Sequence, residues 1–132
     1  RLKCLTEVKK ILKFKIFHHF DFSDNEMDQV STLSVAKSIE KIIHDFKPST
    51  VFTHWKNDIN VDHKKVYDAT IVATRPYPAQ VVKNIYSYEV LSSSNWNFSS
   101  SFNPNFFIDI TSVHKKKIDA LKKYKTEILK KN

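Results

Sequence analysis

Segments with helical apolar spacing alternate along this chain with short, β-type apolar runs. The helical spacing covers residues 2–14, residues 31–46, a segment that begins at or just before His63 and runs to Ala73, and residues 112–130. The strand-like runs cover residues 15–22, 49–53, 84–91 and 106–110. This alternation predicts a layered α/β domain. With 132 residues, of which 41% are hydrophobic, the chain is expected to form one domain with a substantial core.

The order of the predicted elements is unusual because the first of them is a helix. A right-handed crossover between parallel strands needs a strand before its helix, and no such strand precedes the helical segment at residues 2–14. We therefore expect that this sequence lacks its beginning, including the first strand of the sheet.

The chain contains no glycine, and this absence excludes two common nucleotide-binding motifs. Neither a P-loop nor a glycine-rich dinucleotide fingerprint can be built without glycine. The single cysteine, Cys4, excludes an internal disulfide and a metal cluster of thiolates. The sequence has no apolar run long enough to span a bilayer, and its first residues have the pattern of an amphipathic helix rather than that of a signal peptide. These features favour a reducing, cytoplasmic setting.

The net charge of +8 and the pI near 9.5 raise nucleic acid or an anionic substrate as possible partners. Arg1 and Arg75 are the only arginines, so the excess charge is lysine, and the fork geometry that suits phosphates and guanine is nearly absent. Much of the lysine lies in residues 115–131 of the last predicted helix, where a solvated helix face explains it more simply. We expect no nucleic-acid partner, and keep a basic nucleic-acid binder only as an alternative hypothesis.

Residues 53–63, which we call the central loop, follow an apolar run and lead into a predicted helix. The loop holds two histidines and two aspartates: His54, Asp58, Asp62 and His63. In an open α/β sheet, functional residues collect beyond the carboxyl ends of strands, where loops lead into helices. Imidazole and carboxylate groups are common zinc ligands and carry protons near neutral pH. The central loop is therefore the first candidate for a functional site.

A structural explanation of the same residues stays open. Asp58 and Asn60 are typical turn formers, and Asp62 could be a helix N-cap that accepts backbone N–H groups. His63 could be an ordinary, partly buried histidine in a first helical turn.

Residues 92–105 form a long polar loop that carries Trp96, Phe98 and Phe102. Long loops in compact domains are often functional, so these aromatic side chains could cover a site. Alternatively, the loop is held in place by its own aromatic side chains.

Four segments resemble the PIG-L (LmbE-like) family of N-deacetylases, and the similarity extends from about residue 1 to residue 128. The pattern His54-x-x-x-Asp58-x-Asn60-x-Asp62-His63 is similar to the second signature of that family. The other segments are residues 22–28 (Phe-Ser-Asp-Asn-Glu-Met-Asp), residues 73–76 (Ala-Thr-Arg-Pro) and residues 85–93 (Ile-Tyr-Ser-Tyr-Glu-Val-Leu-Ser-Ser).

The resemblance implies a Rossmann-like, three-layer α/β sandwich that holds one catalytic zinc ion within a mostly parallel sheet flanked by helices. Such enzymes hydrolyse an N-acetyl group from a sugar, typically an N-acetylglucosamine unit, and release acetate. The family's ligands are a His and an Asp of an N-terminal His-Pro-Asp-Asp-Glu motif, plus the His that matches His63. The N-terminal motif also supplies the general base, and this sequence does not contain it. We expect it upstream of Arg1, so that residues 1–132 are the C-terminal part of a deacetylase domain and are inactive alone.

The resemblance also implies roles for other residues. Asp62 would support and orient the site. The family commonly has a His where this chain has Asn60, and Asn60 could donate a hydrogen bond to an oxyanion but could not carry a proton, so His54 or Asp58 could take part instead. The candidates for substrate binding are Asp24, Asn25, Arg75, Tyr88, Glu89 and Trp96. The alternative is a degenerate relative, without the metal motif, that binds a glycan or has a structural role.

Overall fold

The computed structural model describes residues 2–125 of the chain. Within them, contacts define two compact units, one formed by the residues up to Phe20 and from Pro104 onward, the other by Asp21–Asn103. The helices are α1 (Leu2–Leu12), α2 (Thr32–Phe46), α3 (Val61–Ala73) and α4 (His114–Leu121), and the strands are β1 (Thr50–His54) and β2 (Asn84–Tyr88). Short 3₁₀ turns occupy Met27–Gln29, Ser94–Trp96 and Thr111–Val113.

The unit Asp21–Asn103 is organised around a parallel β1–α3–β2 crossover. The two strands pair in register from Thr50 opposite Asn84 to His54 opposite Tyr88. Parallel neighbours need a crossover connection, and α3 provides it. The carboxyl ends of both strands therefore lie at the same edge of the sheet, and the central loop leaves β1 at that edge.

Helix α2 has an apolar stripe and a local stop signal that agree with its sequence pattern. Its apolar residues recur at helical spacing, and Val35 and Ile43 are buried. Lys47 ends the helix in the left-handed region, with φ at 50°, and its N–H donates to the carbonyl of Ile43 at 2.8 Å. Pro48 follows, which cannot continue a helix.

The core of this unit lies between α2, α3 and the 3₁₀ turn at Met27–Gln29. Its buried apolar members are Met27, Val35, Ala36, Ile43, Ala69 and Ala73. Three of the six are alanines, so α2 and α3 meet through small side chains, and larger ones would not fit without displacing a helix. The Thr53 hydroxyl of β1 donates to the Thr70 hydroxyl of α3 at 3.3 Å, which joins the strand to its crossover helix.

The other unit contains α1 and α4, which pack against each other. Val8 and Ala120 are its buried apolar residues within the described part. On the partly exposed side, Phe14 and Phe17 meet edge to face with ring centroids 6.4 Å apart. The helix predicted for residues 112–130 begins at His114 and ends at Leu121, and the part of that prediction beyond residue 125 lies outside the described residues.

Two predicted strands are wrong. Residues 15–22 and residues 106–110 have no regular secondary structure. Both segments are rich in aromatic and β-branched residues, which favour strands only where a neighbouring strand completes the hydrogen-bond ladder. The strand predicted for residues 84–91 is also shorter, since pairing with β1 ends at Tyr88.

The described residues confirm a mixed α/β fold, with four α-helices and one two-stranded parallel sheet, consistent with a Rossmann-like sandwich. The three-layer arrangement stays a prediction. Within residues 2–125, none of the helices has both the length and the apolar character that crossing a membrane requires.

Candidate functional site

The central loop is held by the N-cap of α3. Asn60 has an extended backbone, and its side-chain oxygen accepts the N–H of Asp62 at 2.9 Å and the N–H of His63 at 3.2 Å. These are two of the N–H groups that a helix start leaves without partners. The cap therefore fixes where Asp62 and His63 leave the loop, and it is made by Asn60 and not by Asp62.

Asp58 is the buried anion of the site, with 0% of its surface exposed. Its Oδ1 accepts the N–H of Asn60 at 2.9 Å, and its Oδ2 accepts the hydroxyls of Ser93 at 2.9 Å and Ser94 at 2.8 Å. Burial by itself raises the pKa of this carboxyl, but hydrogen bonds from Asn60, Ser94, Ser93 and His63 outweigh burial and leave the pKa below its usual value. Asp58 is therefore a carboxylate whose oxygens are already occupied by donors.

His63 stands beside this carboxylate. Its Nδ1 lies 3.2 Å from Oδ1 of Asp58 and 3.4 Å from the hydroxyl oxygen of Ser93. The side chain keeps 22% of its surface exposed. A carboxylate at Nδ1 leaves Nε2 for a ligand, as in the carboxylate–histidine pairs of many zinc proteins. The carboxylate at this nitrogen belongs to Asp58 rather than to Asp62.

Asp62 holds a different part of the chain. Its Oδ2 accepts the N–H of Asn25 at 2.7 Å, and its Oδ1 accepts the N–H of Met27 at 3.1 Å. Asn25 has a φ of 61°, a conformation that asparagine tolerates better than most residues. Its side-chain oxygen also accepts the Asn60 amide at 3.3 Å. Asp62 and Asn60 thus hold the segment that contains Asp24 and Asn25 against the start of α3.

His54 and Tyr88, which are paired across the two strands, complete the site. The His54 ring stacks on the His63 ring, with centroids 4.1 Å apart and planes 10° apart, and its Nε2 lies 3.1 Å from the Tyr88 hydroxyl. Burial first, and then the nearby His63, lower the pKa of His54 to about 4, although Asp58 opposes the shift. His54 is therefore neutral at pH 7. Tyr88 keeps 40% of its surface exposed, and burial followed by the charge of Asp58 raises its pKa.

The structure places Arg75 away from this site. Arg75 lies just beyond the C-terminal end of α3, where it pairs with Glu40 at 3.0 Å. The site is at the N-terminal end of the same helix, roughly 18 Å away at 1.5 Å per residue. Glu89 accepts a hydrogen bond from Asn95, and Trp96 lies in the following 3₁₀ turn, largely exposed.

The loop after β2 contributes two residues that sequence reasoning missed, Ser93 and Ser94. Both are buried, with 7% and 0% of their surface exposed. A signal for them exists, since two small polar residues follow the strand that neighbours β1, and the carboxyl ends of parallel strands share one edge. The same loop is anchored further on, where the Asn97 amide donates to the Asn57 carbonyl at 2.9 Å and Phe102 meets Trp55 edge to face at 5.7 Å.

His63 fits the role of a metal ligand, but residues 2–125 do not contain a complete site. No group of three His, Cys, Asp or Glu side chains in this part of the chain is placed to hold a metal ion. The Asp58 carboxylate accepts the Asn60 N–H and the hydroxyls of Ser93 and Ser94, and each oxygen of Asp62 accepts one backbone N–H. Among the described residues, we therefore consider His63, whose Nδ1 faces Asp58, as the candidate metal ligand.

Together these elements define a mixed α/β protein with a carboxylate-paired histidine beyond the carboxyl end of a parallel strand. The model of the PIG-L family, described as GlcNAc-PI de-N-acetylase, matches residues 1–74, which is more than half of the chain and includes the whole central loop. The chain belongs to the PIG-L family. Members of this family are generally N-deacetylases of GlcNAc-type substrates and typically depend on zinc. A search of curated proteins gave no significant match.

Proposed function

We propose that this chain is part of a zinc-dependent enzyme that hydrolyses the N-acetyl group of a GlcNAc-type sugar and releases acetate. The observation that carries the proposal is the imidazole of His63, whose Nδ1 faces the buried carboxylate of Asp58 at 3.2 Å. Membership of a family of N-deacetylases supports the reaction class. The proposal requires two further zinc ligands and a general base from polypeptide outside these 132 residues.

In this proposal Nε2 of His63 would hold zinc, which would supply Lewis-acid activation of the acetyl carbonyl and of water. Asp58 orients His63. Asn60 and Asp62 position the loop, since the Asn60 oxygen accepts N–H groups at the start of α3 and the Asp62 carboxylate accepts those of Asn25 and Met27. The central loop thus contributes one proposed zinc ligand, His63, and three residues with positioning roles, Asp58, Asn60 and Asp62.

The pair of His54 and Tyr88 is the part of the site that we assign to the substrate. The Tyr88 hydroxyl is held by His54 and the side chain is partly exposed, so a sugar can reach it. Asp24 and Asn25, held beside the loop by Asp62, are the second candidate contact. Arg75 pairs with Glu40 at the opposite end of α3, so we leave it out of the proposed sugar site.

The test is substitution of His63→Ala in the full-length protein, with His44→Ala as the matched control on an exposed part of α2. Acetate release from N-acetylglucosamine-containing substrates and bound zinc are measured together. We expect His63→Ala to lose both and His44→Ala to keep both. Retention of both by His63→Ala refutes the proposal. A wild-type protein that binds the sugar but releases no acetate would instead support the degenerate, glycan-binding alternative.

A further inference from the structure

Ser93 and Ser94 form a buried hydroxyl pair behind His63, joined to it through Asp58. Ser94 has one proton to donate, and its oxygen accepts the N–H of Val90 at 2.8 Å. The remaining partner within reach is Oδ2 of Asp58, at 2.8 Å, so the hydroxyl proton points to the carboxylate. Because an ionised carboxylate can only accept, this direction cannot reverse.

Ser93 is constrained in the same way. Its hydroxyl oxygen lies 2.9 Å from Oδ2 of Asp58 and 3.4 Å from Nδ1 of His63. Hydrogen bonds to an ionised acceptor are shorter and stronger than those to a neutral one, so the single proton of Ser93 goes to Asp58. The lone pairs of Ser93 are then what faces the imidazole.

The carboxylate of Asp58, held at its Oδ2 by the two hydroxyls, sets the tautomer of His63. Two groups face its Nδ1, Oδ1 of Asp58 and the oxygen of Ser93, and both act as acceptors. A nitrogen between two acceptors must carry the proton, since an unprotonated nitrogen there would put lone pairs against lone pairs in a buried place. Nδ1 is therefore protonated in the neutral ring, and Nε2 has the lone pair.

We propose that Ser93 and Ser94 are positioning residues that, through Asp58, hold neutral His63 as the Nδ1–H tautomer and keep its Nε2 lone pair available for a divalent cation. The binding of a cation by His63 rests on the proposed function, whereas the assignment of the tautomer does not. Both serines come from the loop after β2, more than 29 residues beyond His63 in the chain. This loop, which lies outside the matched residues 1–74, is thereby part of the site.

The test is a long-range proton–nitrogen NMR spectrum of the full-length, metal-free protein, recorded at a pH where imidazole is neutral, with the His63 signals assigned from a His63→Gln spectrum. We expect the wild-type ring to show a protonated Nδ1 and an unprotonated Nε2. Ser93→Ala and Ser94→Ala each remove a donor that holds Oδ2 of Asp58, so the carboxylate can turn away from Nδ1 and the ring should shift towards the Nε2–H form. Both should weaken Zn²⁺ binding by about 10–100-fold, the usual effect of losing a group behind a metal ligand.

Ser92→Ala is the matched control, because Ser92 precedes the pair and is exposed. It should change neither the tautomer nor the Zn²⁺ affinity. Ser93→Thr retains the hydroxyl and should keep the wild-type tautomer. If Ser94→Ala does not fold, the comparison of Ser93→Ala with Ser93→Thr still separates loss of a hydroxyl from general damage to the fold.

A wild-type His63 with a protonated Nε2 would overturn the proposal. So would alanine variants that fold and keep the wild-type tautomer, whatever their Zn²⁺ affinity. Failure of the proposed function has a different signature, in which the Nδ1–H tautomer is observed and depends on the serines, but neither Zn²⁺ binding nor acetate release is found.

Discussion

Replacing Asp62 by alanine tests how the start of α3 is tied to the segment around Asn25. The Asp62 carboxylate accepts two backbone N–H groups, from Asn25 at 2.7 Å and from Met27 at 3.1 Å. These residues lie 37 and 35 positions away in the chain, so the contacts are tertiary and not part of the local helix start. Alanine at position 62 removes both acceptors and leaves the Asn60 cap in place.

The expected loss of stability follows from the kind of hydrogen bond and its exposure. A hydrogen bond to a charged group contributes about 1.5–3 kcal/mol. The bond to Asn25 is exposed and the bond to Met27 is partly buried, so water replaces much of each. We expect a total loss of about 2 kcal/mol, which includes a few tenths from removing a negative charge near the N-terminus of α3.

The assay is urea unfolding of Asp62→Ala, compared with Asp68→Ala on the exposed face of the same helix. With an m-value of about 2 kcal/mol per M, a loss of about 2 kcal/mol lowers the midpoint by about 1 M. The control should stay within about 0.5 kcal/mol of wild type. Hydrogen exchange at the amides of Asn25 and Met27 should accelerate by roughly 30-fold in Asp62→Ala.

Equal midpoints for the two variants, with unchanged exchange at both amides, would show that the carboxylate of Asp62 does not hold this segment. A lower midpoint without faster exchange at Asn25 and Met27 would also contradict the reasoning, since the loss would then arise elsewhere.

Two further substitutions test the local construction of the site and of the core. Asn60→Ala removes the N-cap of α3 and should destabilise the protein by about 1 kcal/mol, whereas Asn60→Asp keeps an accepting oxygen and should lose less stability. The measurement is the midpoint of urea unfolding, and equal losses for the two variants would contradict the role of Asn60 as the N-cap. Thr70→Val leaves the buried Thr53 hydroxyl without its partner and should lower the free energy of unfolding by about 1–3 kcal/mol. Thr53→Val leaves Thr70 bonded to the Val66 carbonyl at 2.7 Å and should lower it less. The reverse order of stability, measured by thermal or urea unfolding, would refute the reasoning.

The agreement between sequence and fold is best where local signals suffice. Helix α2 follows its apolar spacing and ends at Lys47 before Pro48, and β1 begins one residue from its predicted start. The position of α3 is also close to the prediction, because Asn60 and the apolar spacing after it are features of one short segment. Such signals depend on a few consecutive residues, so they can be recognised in the amino-acid sequence.

The predicted strands at residues 15–22 and 106–110 show the limit of local signals. Their composition favours extended backbone, but a strand exists only with a partner, and the partner is a property of the whole fold. Strands β1 and β2 are each other's partner, and β2 ends where their pairing ends, at Tyr88.

For this protein, the sequence by itself determined the class of fold, the family resemblance and the location of the candidate site in the central loop. Only the tertiary structure decided which carboxylate faces His63. Asp62 and His63 are consecutive in α3, and side chains one residue apart in a helix point about 100° away from each other. The carboxylate of Asp62 therefore accepts the N–H groups of Asn25 and Met27. The imidazole of His63 instead faces Asp58, five residues earlier on the loop, whose carboxylate also accepts the hydroxyls of the two serines that follow β2.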